Sequence, residues 1–369
     1  MVEGSRGRAV ALTQSAIVLA ALVVALAPRP PALVERYYAA NLYPEVQALA
    51  TTASNAVPFS VFDVVLVAAA ASASWLWVRA LSRARQARAV LPLLVALRIT
   101  VTVAAAGHLW FVGIWGLNYA RPALELRLGL SQEPASSEDV RALLDEAVGQ
   151  TNRLFDRAHA ERFLAYDAER DIARALHVVE TRLFGRSRPT VPGRPKATAL
   201  GTYFRLAGVD GLTAPFALET LLNPDLTPAE RPFVLAHEWA HLSGHAAEAD
   251  ANFVGWLAAT DADADPASRY SGWLFLVMEA APQVARDARA AALERLDAGP
   301  RRDLDAIAAR ARLRVDLVQR VGWRVYDRYL KSQGVPEGIA SYSRVVNLVV
   351  RASRARPRRD PQPPTLMPQ

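Results

Sequence analysis

Residues 233–253 read FVLAHEWAHLSGHAAEADANF. Three of the chain's six histidines, His237, His241 and His245, lie in this stretch. His237, Glu238 and His241 form an HExxH motif. On a helix, positions i and i+4 share one face about one turn apart. Two imidazoles so placed can bind one Zn²⁺, with Glu238 beside them as general base. Upstream, Thr227, Pro228 and Glu230 predict a helix start: N-cap, first-position proline and the closing residue of a capping box. Phe233, Val234, Ala236 and Ala240 supply a small apolar face, so the motif falls about two turns into the helix.

Hydrolytic zinc sites use three protein ligands and keep one position open for water. Glu248 follows His241 by seven residues, with Gly244 between as a helix terminator. A second helix from about residue 246 would place Glu248 and Asn252 one turn apart on one face. This resembles the ExxxD or ExxxN element of the gluzincins. There the Glu is the third ligand, and the residue four later orients a ligating histidine from behind. Asp250 is the alternative ligand, with a supporting role beside Asn252 if Glu248 is the third ligand. His245 is a further option, but its spacing departs from the metzincin pattern, where Ala247 would be histidine. The competing reading is a chance HExxH on a solvated helix face.

The chain has 369 residues, is 52% hydrophobic and carries a formal charge of +7. Its mean hydropathy of +0.09 suggests a soluble part joined to membrane segments. All basic residues except Lys196 and Lys331 are arginine. The excess is in part compositional, and the arginines are dispersed, so no nucleic-acid partner is expected. The absence of cysteine excludes disulfides and thiolate ligands.

Three apolar runs, near 9–27, 57–78 and 91–117, are long enough to span a bilayer. The first could instead be a signal peptide with a cleavage site at 25–27. Arg79, Arg83, Arg85 and Arg88 fill the loop between the second and third runs without an acidic residue. The positive-inside rule then puts this loop and the N-terminus in the cytoplasm, and everything after Tyr119 outside. Within the third run, Arg98 is read as snorkelling to the cytoplasmic face and His108 as having no functional role. Asp63, near the outer interface, needs no special role.

The expected division is a membrane region over 1–120, an outer domain over 121–350 and a disordered Arg/Pro-rich tail over 351–369. In the outer domain the pattern predicts helices over 136–159 and 168–184, then strands over 198–206 and 212–221. Helices follow over 267–280, 283–296, 304–320, 323–331 and 338–350. The fold class is mainly α, with a zincin-like α+β domain whose small sheet lies beside the HExxH helix. An edge strand over 211–219 would pair with an extended peptide substrate. Phe216 would line that cleft. Glu219 either faces it to bind a substrate amine or is a surface charge. Tyr342 is a candidate for stabilising the oxyanion.

Several segments together resemble a bacterial membrane family catalogued as domain of unknown function 3810. They are WGLNYAR (115–121), PF at 215–216, the metal stretch, and YDRYLKSQGVPEGIASYSRVV (326–346). The resemblance implies three spans, an HExxH and an E-x-[DE]-A-N-F segment, and is consistent with a zinc metallopeptidase of the gluzincin kind. The functional expectation is a multi-pass protein of the bacterial cytoplasmic membrane hydrolysing peptides or proteins on the outer side. The alternative is a non-catalytic, membrane-tethered binding module with a structural or degenerate zinc site. A transporter role for the spans is opposed by their few polar residues. An intramembrane protease is opposed by the charges at Glu230, Arg231, Glu248 and Asp250 around the motif.

Overall fold

A computed structural model describes residues 2–160, 165–185, 188–333 and 344–355. The architecture is mainly helical, with one two-stranded hairpin. Three helices are long and apolar enough to cross a membrane: α1 (Val2–Leu26), α3 (Val61–Ala87) and α4 (Leu91–Ile114). α1 and α3 both pack on α4. Leu19, Leu22, Val64, Val67, Leu94 and Val103 on these helices are exposed. Such a continuous apolar surface fits lipid and would be a liability in water.

α3 runs well past the second apolar run, carrying Arg79, Arg83 and Arg85 in its last turns before a tight link to α4. Its start is set by Ser60, whose Oγ accepts from Asp63 N at 3.0 Å. Asp63 does have a role: its carboxylate accepts from Thr198 Oγ1 at 2.8 Å and from Ala199 N at 2.7 Å.

The segment between α1 and α3 is structured and packs into the domain that follows α4. A π-helical stretch over Val34–Leu42 leads into α2 (Tyr43–Asn55). Tyr43 is fully buried and donates to Leu242 O at 2.9 Å. Gln47 Nε2 donates to Val191 O at 2.9 Å. A boundary near residue 120 therefore cuts through one packed body, because α2 shares its core with the helices that follow.

α5 (Ser137–Ala160) and α6 (Ala165–Phe184) come next, followed by α7 (Gly201–Ala207). The strand expected over 198–206 is therefore a turn and a short helix. Phe204 and Ala207, three apart, bury one face, and Gly208 ends the helix at φ +71°. The hairpin is β1 (Gly211–Ala214) and β2 (Glu219–Leu222), antiparallel with Gly211 opposite Leu222. Lys196 pairs with the other edge of β2, which leaves β1 as the edge strand among the described residues.

α8 (Arg231–Leu242) and α9 (Glu248–Ala259) form the central pair, flanked by α10 (Pro266–Ala280). α8 starts later than the expected capping box. Glu230 Oε2 accepts from Thr227 N at 3.0 Å, but Thr227 Oγ1 is buried without a partner. Arg310 also claims Glu230, donating from Nε at 3.0 Å, and residues 228–230 form a turn. Phe233 stacks on Phe275 of α10 at 3.7 Å between ring centroids.

α11 (Arg286–Glu294), α12 (Ala298–Ala311), α13 (Asp316–Ser332) and α14 (Arg344–Arg354) complete the domain. The single helix expected over 304–320 is broken at 312–315, where Val315 N bonds Leu206 O at 2.9 Å. The tail is expected from 351, yet Arg351 and Arg354 belong to α14. Arg351 Nε donates to Glu133 O at 3.0 Å, an anchor that continues the helix. Residues 356–369 lie outside the described residues.

Gly255 sets the spacing of the central pair. A Cβ there would lie 2.9 Å from both N and Cα of His237. That neighbour is backbone and cannot swing aside, so Gly255→Ala must push α9 off α8. We expect a loss of about 1–3 kcal/mol by overpacking, read as a lowered unfolding midpoint of the full chain in detergent. An unchanged midpoint would refute the close approach.

Candidate metal centre

α8 ends in a Schellman turn: Gly244 N bonds His241 O at 2.7 Å and His245 N bonds Ala240 O at 3.2 Å. Gly244 takes φ +92°, a conformation that L side chains rarely adopt. The chain reverses there and begins α9 at Glu248, which returns this carboxylate to the face carrying the two histidines.

His237, His241 and Glu248 converge, their ligand-type atoms all within 4.8 Å of one another. Glu248 Oε2 lies 3.4 Å from His237 Nε2 and 3.5 Å from His241 Nε2. An imidazole–carboxylate hydrogen bond is shorter, at about 2.7–2.9 Å. Bonds of about 2.0–2.1 Å to a tetrahedral zinc place neighbouring donor atoms about 3.3–3.4 Å apart. The donor set and these two separations therefore suit zinc.

His241 Nδ1 donates to His245 O at 2.7 Å, which leaves Nε2 as the ring atom directed at Glu248 and open to a metal. His237 Nδ1 is buried without a hydrogen-bond partner. Asn252 lines the cavity one turn beyond Glu248. Burial alone would lower the His241 pKa. Glu248, Glu238 and the His245 carbonyl outweigh it and raise it to about 9. Glu248 shows the mirror effect: burial opposes its charge, but the two histidines hold it well below the usual carboxylate range.

Asp250 sits elsewhere. Two residues on from Glu248, it points to the far side of α9, 3.5 Å from Arg127 Nη2, and burial raises it to about 6. His245 is also turned away. Its Nε2 lies 2.7 Å from Glu180 Oε1 and its Nδ1 3.2 Å from Arg127 Nη2. Burial lowers it to about 3, and a neutral ring donating to Glu180 and accepting from Arg127 meets both contacts. Nothing local in the sequence marks Glu180 or Arg127, which come from other elements.

Glu238 is the neighbour of the candidate ligands on α8. It is buried, and burial raises its pKa. Thr213 of β1 lies 2.8 Å from both Glu238 Oε2 and Glu238 O. Gly211 lets the strand approach: a Cβ there would fall 2.4 Å from Glu238 Oε1. Tyr326 of α13 donates to Glu248 Oε1, the oxygen not facing the histidines. Tyr119 lies against Tyr329, 5.9 Å between rings, and burial pushes it up to about 12. Tyr326 and Tyr119 fall in segments the sequence reading singled out, but nothing local assigned them to the metal. Tyr342 lies outside the described residues.

These groups line a cavity of about 650 Å³ together with Gly211, Leu212, Pro215 and Trp323, a size suited to a ligand or a few residues of peptide. Phe216 does not line it. Its ring packs on Phe62 and Phe111 at the ends of α3 and α4, and its carbonyl accepts from Trp110 Nε1 at 3.0 Å. Glu219 is neither in the cleft nor on the surface. It is fully buried, 2.8 Å from Lys196 Nζ, and accepts from Phe62 N at 2.6 Å and Val61 N at 3.1 Å. The first turn of α3 offers free N–H groups that a carboxylate satisfies.

No curated protein and no solved structure matches the chain. Residues 38–350 match the family model described as "Protein of unknown function (DUF3810)". That span covers both later apolar helices, the hairpin and the candidate metal centre, and the chain belongs to this family.

Proposed function

We propose that the protein is a membrane-anchored, zincin-like zinc metallopeptidase. The observation that carries the reading is the convergence of His237, His241 and Glu248 beside Glu238 in one cavity. His237 and His241 through Nε2, and Glu248 through Oε2, would hold the metal. Bound zinc would act as a Lewis acid and bring the pKa of a water down to about 7.

Glu238 takes the proton of the attacking water and delivers it to the leaving amine. Thr213 orients its carboxylate. Tyr326 engages Glu248 Oε1 and so keeps Oε2 directed at the histidines. The free edge of β1 offers main-chain groups to an extended polypeptide, a mode of recognition that leaves sequence choice to the pockets around it. A closed, purely structural site would need a fourth protein ligand, and His245 is committed to Glu180 and Arg127.

The domain packs on the α3 N-terminus and the α4 C-terminus, away from the Arg-rich link between them. With that link cytoplasmic by the positive-inside rule, the cavity opens on the outer side of a bacterial cytoplasmic membrane. The test is zinc content of the full chain in detergent, for wild type, Glu248→Ala and Asp250→Ala. We expect about one zinc in wild type and Asp250→Ala, and a loss in Glu248→Ala. A folded wild type without zinc, or loss only in Asp250→Ala, would overturn the assignment.

A further inference from the structure

α13 has two working faces. Gly322, Trp323, Tyr326 and Tyr329 face the cavity, and Tyr326 reaches the ligand Glu248. On the opposite side Leu317, Val321 and Val325, spaced by four, form an exposed apolar stripe. Leu313 and Val315 extend it beyond the helix start. Arg320, Arg324 and Arg328, also spaced by four, are exposed along its edge. An apolar stripe bordered by arginines is the pattern of a helix lying in a membrane interface, with guanidinium groups reaching lipid phosphates.

The position of α13 supplies the second argument. Tyr329 near its end meets Phe111 of α4, 6.1 Å between rings. Phe111 lies in the last turn of that helix, next to exposed Trp110. Phe216 packs on the same Phe111 and is itself partly exposed. The C-terminal end of α13 therefore lies beside the end of a spanning segment, at the depth where aromatic side chains gather at a bilayer surface.

We propose that the outer face of α13 rests on an anionic bilayer surface, so that one wall of the cavity is a membrane-seated helix. The occupant is lipid, selected by the paired apolar and arginine rows. The proposal rests on the spanning of α1, α3 and α4, and is independent of the chemistry at the metal.

The chain contains no cysteine, so single labels are simple to introduce. The full chain in phosphatidylglycerol-containing nanodiscs would carry a fluorophore at Val321→Cys, with Arg157→Cys on α5 as the control. Leu66→Cys on α3 reports insertion. We expect lipids carrying a shallow nitroxide to quench the Val321→Cys label severalfold more than the Arg157→Cys label. Changing Arg320, Arg324 and Arg328 to Gln should reduce that quenching, since each arginine near an anionic surface contributes about fivefold to binding. Equal quenching at the two sites, with Leu66→Cys quenched by a deep nitroxide, would overturn the proposal and leave the spans standing. So would shielding of the Val321→Cys label from aqueous iodide without lipid quenching, which would mean that protein covers the face. No quenching at Leu66→Cys would remove the spans and the proposal together.

Discussion

Glu238→Gln is expected to keep the fold and the zinc and to lower peptide hydrolysis by about 10²–10⁴-fold, the usual contribution of a positioned acid–base group. The substitution is isosteric, and its carbonyl oxygen can still accept from the Thr213 hydroxyl. It leaves His237, His241 and Glu248 untouched, so metal content should match wild type. What it removes is the only function asked of this residue, the exchange of a proton with water and with the leaving amine. Casein-type unfolded substrates suit the first assay, because the β1 edge reads main chain and not a particular side chain. Turnover within a few-fold of wild type, with zinc retained, would refute Glu238 as the proton carrier.

The parts of the site readable in the sequence are those in which local periodicity and function coincide. His237, Glu238 and His241 sit within one turn, and Gly244 marks the reversal that brings Glu248 back. The choice between Glu248 and Asp250 also follows from helical geometry once α9 starts at Glu248, because two residues along a helix point nearly opposite ways.

Partners from distant segments were not readable. Tyr326 reaches Glu248 across 78 positions, and Glu180 reaches His245 across 65. Periodicity says which face of a helix is buried but not what it meets. The segment 198–206 failed for a different reason. Thr202, Tyr203 and Phe204 favour a strand by propensity, yet Phe204 and Ala207 are buried at helical spacing and α13 packs against the result. Glu219 was misplaced because a charged residue on a short strand reads as exposed unless its counter-ion is known. That counter-ion is one of the chain's two lysines.

Lys196→Met should therefore be among the most destabilising single changes in the molecule. The Lys196 and Glu219 side chains are both fully buried, and Lys196 Nζ also donates to Ser54 O at 2.7 Å. Removing the cation leaves a carboxylate in a dry site, with only the first turn of α3 and Ser60 Oγ at 3.2 Å to compensate it. Breaking a buried pair from one side costs about 3–5 kcal/mol. The midpoint of unfolding in detergent should fall accordingly, and Lys196→Met with Glu219→Gln should recover part of the loss, because the orphaned charge is then gone. The pair also has a positional role. It clamps β2 to the α3 N-terminus, and β2 carries β1, whose Thr213 holds Glu238. The double variant, stable but lacking the clamp, should thus lose hydrolysis more than zinc. Full activity in a stable double variant would show that the hairpin holds Glu238 without help from the membrane helix.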